Sequence, residues 1–299
     1  MARILLLVNS SASSVTPRGK VVIQKALSAD HDVTLAETNR RDHASRLAQG
    51  AAREGYDVVV ALGGDGTLNE AANGLAGTGT ALAALPGGST NVFARTIGLP
   101  NDPIEATGAL LDGLAAEKFY DVGLGQVNGR YFLFHVGIGF DAAVVEQVER
   151  RAQLKRWAGH PLFIFSAFTT WFRHYERSAA RFDAGGTPSY FTIVLNTNPY
   201  TYLGSRPLDL VPEATLDRGL AVVTFRTLGF LPVMRAVGSA LAGSDIRRHR
   251  SLDVRTDLDS LVVESDRPFP YQVDGDFLGE RDRLELRHVP AALRLVLPG

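Results

Sequence analysis

The sequence predicts an N-terminal doubly wound α/β domain and a C-terminal antiparallel β-sandwich domain, and three observations carry this prediction. In the first 120 residues, short apolar runs alternate with helical patterns, which is typical of a parallel sheet covered by helices. After Asp121, strand patterns follow one another with fewer helices between them. The chain has 299 residues, about the size at which a single core stops growing. We place the domains at residues 1–122 and 123–299, and the last strand could return to the first domain.

The predicted first domain begins with a buried apolar strand and a helix that has Pro17 in its first turn, where proline is tolerated. A second helix is indicated by Ala44, Leu47, Ala48 and Ala51, which share one helical face. The predicted elements are, in order, strand 3–8, helix 17–28, strand 31–37, helix 42–54, strand 58–62, a helix from Thr67, strand 80–85 and a helix from Val92.

The predicted second domain consists mainly of strands, at residues 131–135, 190–196, 220–226, 261–264 and 293–297. It also contains a helical pattern from Leu154 to Tyr175 with an aromatic stripe and arginines near both ends. This helix either packs over the β domain, as aromatic stripes usually do, or meets a membrane interface or an acyl chain.

Composition excludes several classes of protein. The net charge of −1 gives no overall field for nucleic acid, so we expect no nucleic-acid partner. The absence of cysteine excludes disulfides, a thiolate nucleophile and thiolate metal sites. No apolar run approaches the roughly 18 residues of a transmembrane span. We therefore expect a cytoplasmic protein without a transmembrane segment.

The region from Asp57 to Gly74 reads as strand, glycine loop and helix. Gly63, Gly64 and Gly66 allow main-chain amides to converge on an anion, and the following helix adds the positive end of its dipole. The alternative is an ordinary turn in which Asp65 or Thr67 caps the helix.

A second loop, Pro86 to Asn91, follows the next predicted strand. The carboxyl ends of parallel strands lie at one edge of a sheet, where open α/β sheets bind their ligands. Two glycine loops at the same edge are a more specific sign of a phosphate-binding site than either loop alone.

Four segments together resemble the diacylglycerol kinase catalytic family, specifically its soluble bacterial lipid kinases. They are Leu62-Gly-Gly-Asp-Gly-Thr-Leu-Asn-Glu70, Leu85-Pro-Gly-Gly-Ser-Thr-Asn-Val-Phe-Ala-Arg95, Gly137-Ile-Gly-Phe-Asp-Ala142 and Val273-Asp-Gly-Asp276. The first segment is shared with NAD kinases, whereas the second is more characteristic of lipid kinases. The match spans nearly the whole chain in the family's order.

The resemblance implies an active site in the cleft between the two domains, ATP and Mg²⁺ as cofactors, and a lipid substrate at the membrane surface. It also makes a homodimer an expected arrangement. Carried over residue by residue, it implies nucleotide contacts at Asn9, Thr38, Gly63, Gly64, Asp65, Gly66, Thr67, Leu68, Asn69, Glu70, Gly88, Ser89 and Thr90. Among these, Asp65 is expected to bind or orient Mg²⁺. The Thr38 hydroxyl could equally bond to its own backbone.

The family's catalytic base is a glutamate in an Asp-Gly-Glu sequence, and its position here is Asp276. The carboxylate would orient the lipid hydroxyl and take its proton as the new bond forms. Asp274 is the competing candidate for the base, and a plain Asp-Gly hairpin turn is the structural alternative.

Two further positions depart from the family. Val92 stands where many members have an aspartate after the second loop. Asp217-Arg218-Gly219-Leu220 replaces a sequence whose second acid can hold a structural Mg²⁺, and an arginine repels a cation. Asp217 is therefore the sole candidate we name as a ligand for that metal.

The leading hypothesis is an ATP-dependent kinase that phosphorylates diacylglycerol or a related lipid alcohol. The alternatives are an NAD kinase and a nucleotide-responsive lipid-binding protein that has lost catalysis. The sequence does not identify the lipid.

Overall fold

The computed structural model describes residues 1–150 and 180–299, with the backbone alone for residues 147–150. The chain forms two compact units, Met1–Phe134 together with Val289–Gly299, and His135–His288. The aromatic helix predicted at residues 154–175 lies outside the described residues.

The first unit alternates strands and helices, as predicted. Its elements are β1 Arg3–Val8, α1 Pro17–Leu27, β2 Asp32–Glu37, α2 His43–Arg53, β3 Val58–Gly63, α3 Asp65–Leu75, β4 Ala81–Pro86, α4 Val92–Thr96, α5 Pro103–Ala115, β5 Phe119–Val127 and β6 Arg130–Phe132. Every residue of β3 and β4 is buried, which explains their continuous apolar sequences.

The sheet of the first unit is parallel in the order β2-β1-β3-β4. The chain steps from β1 to β2 in one direction, then passes back across β1 to reach β3. Because such crossovers are right-handed, α1 lies on one face of the sheet and α2 on the other. The order changes direction between β1 and β3, and loops at such a point form the usual ligand crevice.

The second unit is rich in antiparallel strands, which confirms the predicted fold class. Its elements are β7 His135–Gly139, α6 Phe140–Arg150, β8 Phe182–Ala184, β9 Pro188–Ser189, β10 Phe191–Leu195, β11 Thr201–Leu203, β12 Arg206–Leu208, β13 Leu220–Phe225, α7 Phe230–Leu241, a 3-10 helix Ile246–Arg248, β14 Leu252–Leu258, β15 Ser260–Val273 and β16 Asp276–Val296. The main sheet of this unit has the order β14-β13-β10-β7-β15-β16. Stacked Phe191 and Phe225 rings, 4.3 Å apart, form part of the core.

Several predicted boundaries differ from the structure. The sequence predicts a domain boundary at residue 122, but the two units divide between Phe134 and His135. The difference arises because the β5–β6 hairpin belongs to the first unit. The strand predicted at 131–135 was wrong as one element, since β6 ends at Phe132 and β7 begins at His135. Helix α3 begins at Asp65, two residues before the predicted start, and α7 was not predicted.

The end of β16 belongs to the first unit, where Leu295 pairs in parallel with Leu82 of β4. None of the helices among residues 1–150 and 180–299 is both long enough and apolar enough to cross a bilayer.

Candidate active site

Three loops of the first unit meet at the carboxyl edge of its sheet. The Ser14 amide donates to the Gly87 carbonyl at 2.8 Å, and the Gly87 amide donates to the Gly63 carbonyl at 2.8 Å. The Asn9 side-chain amide donates to the Thr67 hydroxyl at 2.9 Å. The loops after β1, β3 and β4 are therefore held together, and with the first turns of α3 they contain most of the predicted nucleotide contacts.

The glycines of the two loops pack backbone against backbone. A Cβ on Gly87 would lie 2.8 Å from the Cα of Gly63, and a Cβ on Gly88 would lie 2.8 Å from the Cα of Gly64. Real Cβ atoms are not found so close to backbone carbons, so this approach requires glycine. Loop-to-loop packing thus accounts for Gly87 and for Gly88, of which only Gly88 was predicted as a nucleotide contact.

The N-terminus of α3 has no side-chain cap. Its N-cap residue is Gly64, which carries no acceptor. By contrast, Thr16 caps α1 and Asp102 caps α5 through side-chain oxygens. The first amides of any α-helix lack an intrahelical acceptor, so those of α3, including Gly66 and Thr67, suit an external anion.

Asp65 caps a neighbouring helix. Its two carboxylate oxygens accept the backbone amides of Val92 at 3.0 Å and Phe93 at 3.1 Å, at the start of α4. The predicted alternative, in which Asp65 caps the helix that contains it, does not describe this contact. Asp65 therefore joins the glycine loop to the loop after β4.

The loop after β4 is closed by Asn91, which is buried and has a left-handed backbone with φ 51°. Its side chain accepts the Gly88 amide at 2.7 Å and donates to the Gly88 carbonyl at 2.9 Å. Ser89 is exposed and Thr90 is half-buried in this loop.

Three other predicted nucleotide residues on α3 contact the protein itself. Leu68 lies in the apolar core. Asn69 is buried, donates to the Tyr131 carbonyl at 3.0 Å and accepts from the Arg130 guanidinium at 2.8 Å. Glu70 accepts the backbone amides of Asp42 at 2.9 Å and Ala44 at 3.1 Å, so it caps α2.

Thr38 follows the end of β2, and its amide donates to the Val8 carbonyl at 2.8 Å. Its hydroxyl lies 3.5 Å from the same carbonyl, which is a long and weak hydrogen bond. Val8 lies 30 residues from Thr38 in the chain, so this contact is not the bond to its own backbone that the sequence left open as an alternative.

The acidic sequence of the second unit forms a tight hairpin between β15 and β16. Val273 pairs with Asp276, and the two turn residues Asp274 and Gly275 have φ values of 48° and 85°. Positive φ at both positions is characteristic of a type I′ turn, for which Asp-Gly is a preferred sequence. The structural alternative of the sequence analysis therefore describes residues 274 and 275 correctly.

The two aspartates of this hairpin have different surroundings. The Asp274 carboxylate is buried and accepts the His135 amide at 3.0 Å, while the Asp274 amide donates to the His135 carbonyl at 2.9 Å. Asp276 is half-buried at the first position of β16. Asp274 is therefore used by the fold, and Asp276 is the more exposed of the two aspartates.

A buried polar network reaches the same hairpin. Gly275 donates its amide to Gln272 Oε1 at 2.8 Å, and Gln272 Nε2 donates to Asp141 Oδ2 at 2.7 Å. The Tyr200 hydroxyl donates to the other oxygen of Asp141. Asp141 lies in the segment Gly137–Ala142 that resembles the family, but the sequence predicts no role for it and none for Gln272 or Tyr200.

Burial perturbs the titration of this network. Desolvation raises the pKa of the Asp141 carboxyl, while its hydrogen bonds from Tyr200 and Gln272 oppose that shift. Burial also raises the pKa of Tyr200 well above its ordinary value, and the neighbouring Asp141 adds to the effect. The same desolvation lowers the pKa of His135 to about 3, so its imidazole is neutral near pH 7.

Asp217 lies on the surface of the second unit. Its carboxylate accepts the Thr215 hydroxyl at 2.5 Å, and this hydrogen bond lowers the pKa of Asp217. Across the described parts of the chain, no three His, Cys, Asp or Glu side chains gather to hold a metal ion.

Comparison with known proteins places these features in context. Residues 3–122 match the model of the diacylglycerol kinase catalytic domain. A Pseudomonas aeruginosa protein named "Probable lipid kinase YegS-like" is 32% identical over 305 residues, covering 99% of this chain and 94% of the relative. The Bacillus subtilis diacylglycerol kinase is 37% identical over 121 residues, which is 40% of this chain and 39% of that enzyme. A diacylglycerol kinase structure from Bacillus anthracis superimposes with a TM-score of 0.72 at 20% identity, covering 99% of this chain and 97% of the other.

Proposed function

The chain belongs to the diacylglycerol kinase family of lipid kinases, and from this premise we propose that it transfers the γ-phosphate of ATP to the hydroxyl of diacylglycerol or a related lipid alcohol. The observation that carries the proposal is the N-terminus of α3, where the N-cap residue is a glycine and supplies no side-chain acceptor to the amides of the first turn. Those amides suit phosphate oxygens, and the helix dipole favours the negative charge.

We propose that the loop after β3 and the loop after β4 together bind the triphosphate. Their glycine contacts and the Asp65 bridge to α4 fix the amides before the nucleotide arrives. Phosphoryl transfer depends mainly on positioning and on neutralising charge, so a rigid cradle is what the reaction requires. Thr67, Ser89 and Thr90 are the hydroxyl donors closest in sequence to these amides.

We propose that Asp65 would bind or orient a magnesium ion at this site. Mg²⁺ in kinases takes one or two carboxylates together with substrate phosphates, so a cluster of three protein ligands is not needed. The Asp65 carboxylate also accepts the two amides of α4, so it would hold the ion at the junction of the two loops. When bound, the ion would neutralise charge on the phosphates.

We assign the base to Asp276. An alcohol is too weak an acid to be deprotonated beforehand, so the carboxylate orients the lipid hydroxyl and accepts its proton as the bond to phosphorus forms. The burial of Asp274 and its bonds to His135 support this choice over Asp274. The lipid substrate would be taken from a membrane surface.

An assay of the purified protein with γ-labelled ATP, Mg²⁺ and mixed micelles carrying a panel of lipid alcohols tests the proposal. We expect label in a lipid product. Absence of labelled lipid from folded protein that binds ATP would overturn it. NAD assayed alongside tests the NAD kinase alternative, which the full-length similarity to a lipid kinase does not favour.

A further inference from the structure

We infer that Asp141 is a positioning residue for the proposed base, acting through Gln272 on the turn that precedes Asp276. This inference rests on the proposed lipid kinase function for its catalytic consequence. The relay runs from Tyr200 to Asp141, from Asp141 to Gln272, and from Gln272 to the Gly275 amide. Gly275 is the residue immediately before Asp276.

The backbone is arranged to let this relay form. Gln272 of β15 pairs with Gly137 of β7, and a Cβ on Gly137 would lie 1.6 Å from Asp141 Oδ2 and 2.5 Å from Gln272 Nε2. Glycine at 137 is therefore needed for the Asp141 and Gln272 side chains to meet. The sequence Gly137–Ala142, which the proposed reaction leaves without a role, thereby acquires one.

A second contact supports the same turn. The His135 backbone holds Asp274 through two hydrogen bonds, and its ring lies 4.5 Å from the Tyr200 ring. The turn is thus fixed at Asp274 by backbone contact and at Gly275 by the side-chain relay. The position of Asp276, the next residue, therefore depends on the His135–Asp274 hydrogen bonds and on the Gln272–Gly275 hydrogen bond.

The relay has a fixed direction of hydrogen bonding. Gln272 uses its oxygen for Gly275 and its nitrogen for Asp141, and Asp141 accepts at both oxygens. In Asp141→Asn, the new side-chain NH₂ group would face either Gln272 Nε2 or the Tyr200 hydroxyl. Two donors would then face each other, and one hydrogen bond of the relay would be lost. Gln272→Glu would set two carboxylates against each other. The double variant Asp141→Asn with Gln272→Glu restores every donor–acceptor pair, because the new amide at position 141 donates to the new carboxylate at position 272, which still accepts the Gly275 amide.

The experiment is a double-mutant cycle with two readouts, lipid phosphorylation and hydrogen exchange of the Gly275 amide. We expect each single variant to lower kcat by about 100-fold, as misplacement of a catalytic group by about 1 Å does, with the KM for ATP changed less than about twofold. Exchange at Gly275 should become faster in both. The double variant should recover kcat and exchange protection together. Thr192→Val, which removes a buried hydroxyl bonded to Ser189 and Thr224, is the control expected to leave kcat unchanged.

A double variant no better than the worse single variant, or Gly275 exchange that the single variants leave unchanged, would overturn the inference. If the wild-type protein labels no lipid, the proposed function fails, and the exchange measurements alone decide whether the relay holds the turn.

Discussion

A Cβ on Gly88 would lie 2.8 Å from the Cα of Gly64, so the loops after β3 and β4 are in direct backbone contact. This contact brings two loops of the predicted phosphate site together before any ligand is present.

Gly88→Ala should separate these loops. We expect a loss of about 1–3 kcal/mol in the free energy of unfolding, as for other overpacked sites, together with weaker ATP binding. Gly79→Ala is the matched control, because a Cβ there meets nothing within 4 Å. Denaturant unfolding and ATP titration measure both effects, and equal behaviour of the two variants would contradict the account.

Asp65→Asn should destabilise the protein even without nucleotide or metal. Asparagine accepts at one oxygen only, so it cannot receive the amides of both Val92 and Phe93 as the carboxylate does. The free energy of unfolding should fall by about 1 kcal/mol, the usual cost of a lost helix cap. Asp30→Asn, in the exposed segment between α1 and β2, should change it little. Unchanged stability of ligand-free Asp65→Asn would show that the cap is not significant.

Glu70→Ala separates a structural role from a nucleotide contact. Because both carboxylate oxygens accept amides at the start of α2, the variant should lose about 1 kcal/mol of stability. Its Kd for ATP should stay within about twofold of the wild-type value. A large loss of ATP affinity in a stable Glu70→Ala protein would instead support the predicted nucleotide contact at Glu70.

The buried His135 should make the protein sensitive to acid. Its folded pKa of about 3 lies below the ordinary value of 6.5, so the unfolded chain binds a proton that the folded chain excludes. Its contribution to stability is complete above pH 6.5 and is lost as the pH falls toward 3. Between pH 6.5 and 5 the loss is about 2 kcal/mol.

His135→Asn should remove this part of the pH dependence. The difference between wild type and variant isolates His135 from other titrating groups, such as Asp141. Because the folded pKa of Asp141 is raised, that carboxyl stabilises the fold below its unfolded pKa and loses this effect as the pH rises. Parallel stability curves for the two proteins between pH 7 and 5 would rule out the assignment to His135.

The sequence predicted the fold class because its signals are local. Buried strands such as β3 and β4 show as apolar runs, and the glycine loops follow directly from them. It did not predict that Asp65 caps α4 or that Glu70 caps α2, because those partners lie 27 and 26 residues away in the chain. The Asp141–Gln272 contact spans 131 residues, and only the register of β7 against β15 brings the two together.

The hairpin at Asp274 shows how one motif can serve both structure and chemistry. Asp-Gly at positions 274 and 275 satisfies the turn, so its presence alone is no sign of catalysis. The functional assignment therefore depends on Asp276, which follows the two turn residues and pairs with Val273. Structural and functional roles can also be separated in the glycine loops, where Gly87 and Gly88 are needed for the packing of one loop against the other.

Transfer of labelled γ-phosphate to lipid by Asp276→Asn, beside the wild-type protein, tests the central claim most directly. Asparagine keeps the size of the side chain but cannot take a proton from the lipid hydroxyl. The account predicts labelled lipid from the wild-type protein and a loss of about 10²- to 10⁴-fold in kcat for the variant, the usual contribution of a general base, with ATP binding retained. An Asp276→Asn protein that phosphorylates lipid at the wild-type rate would contradict it.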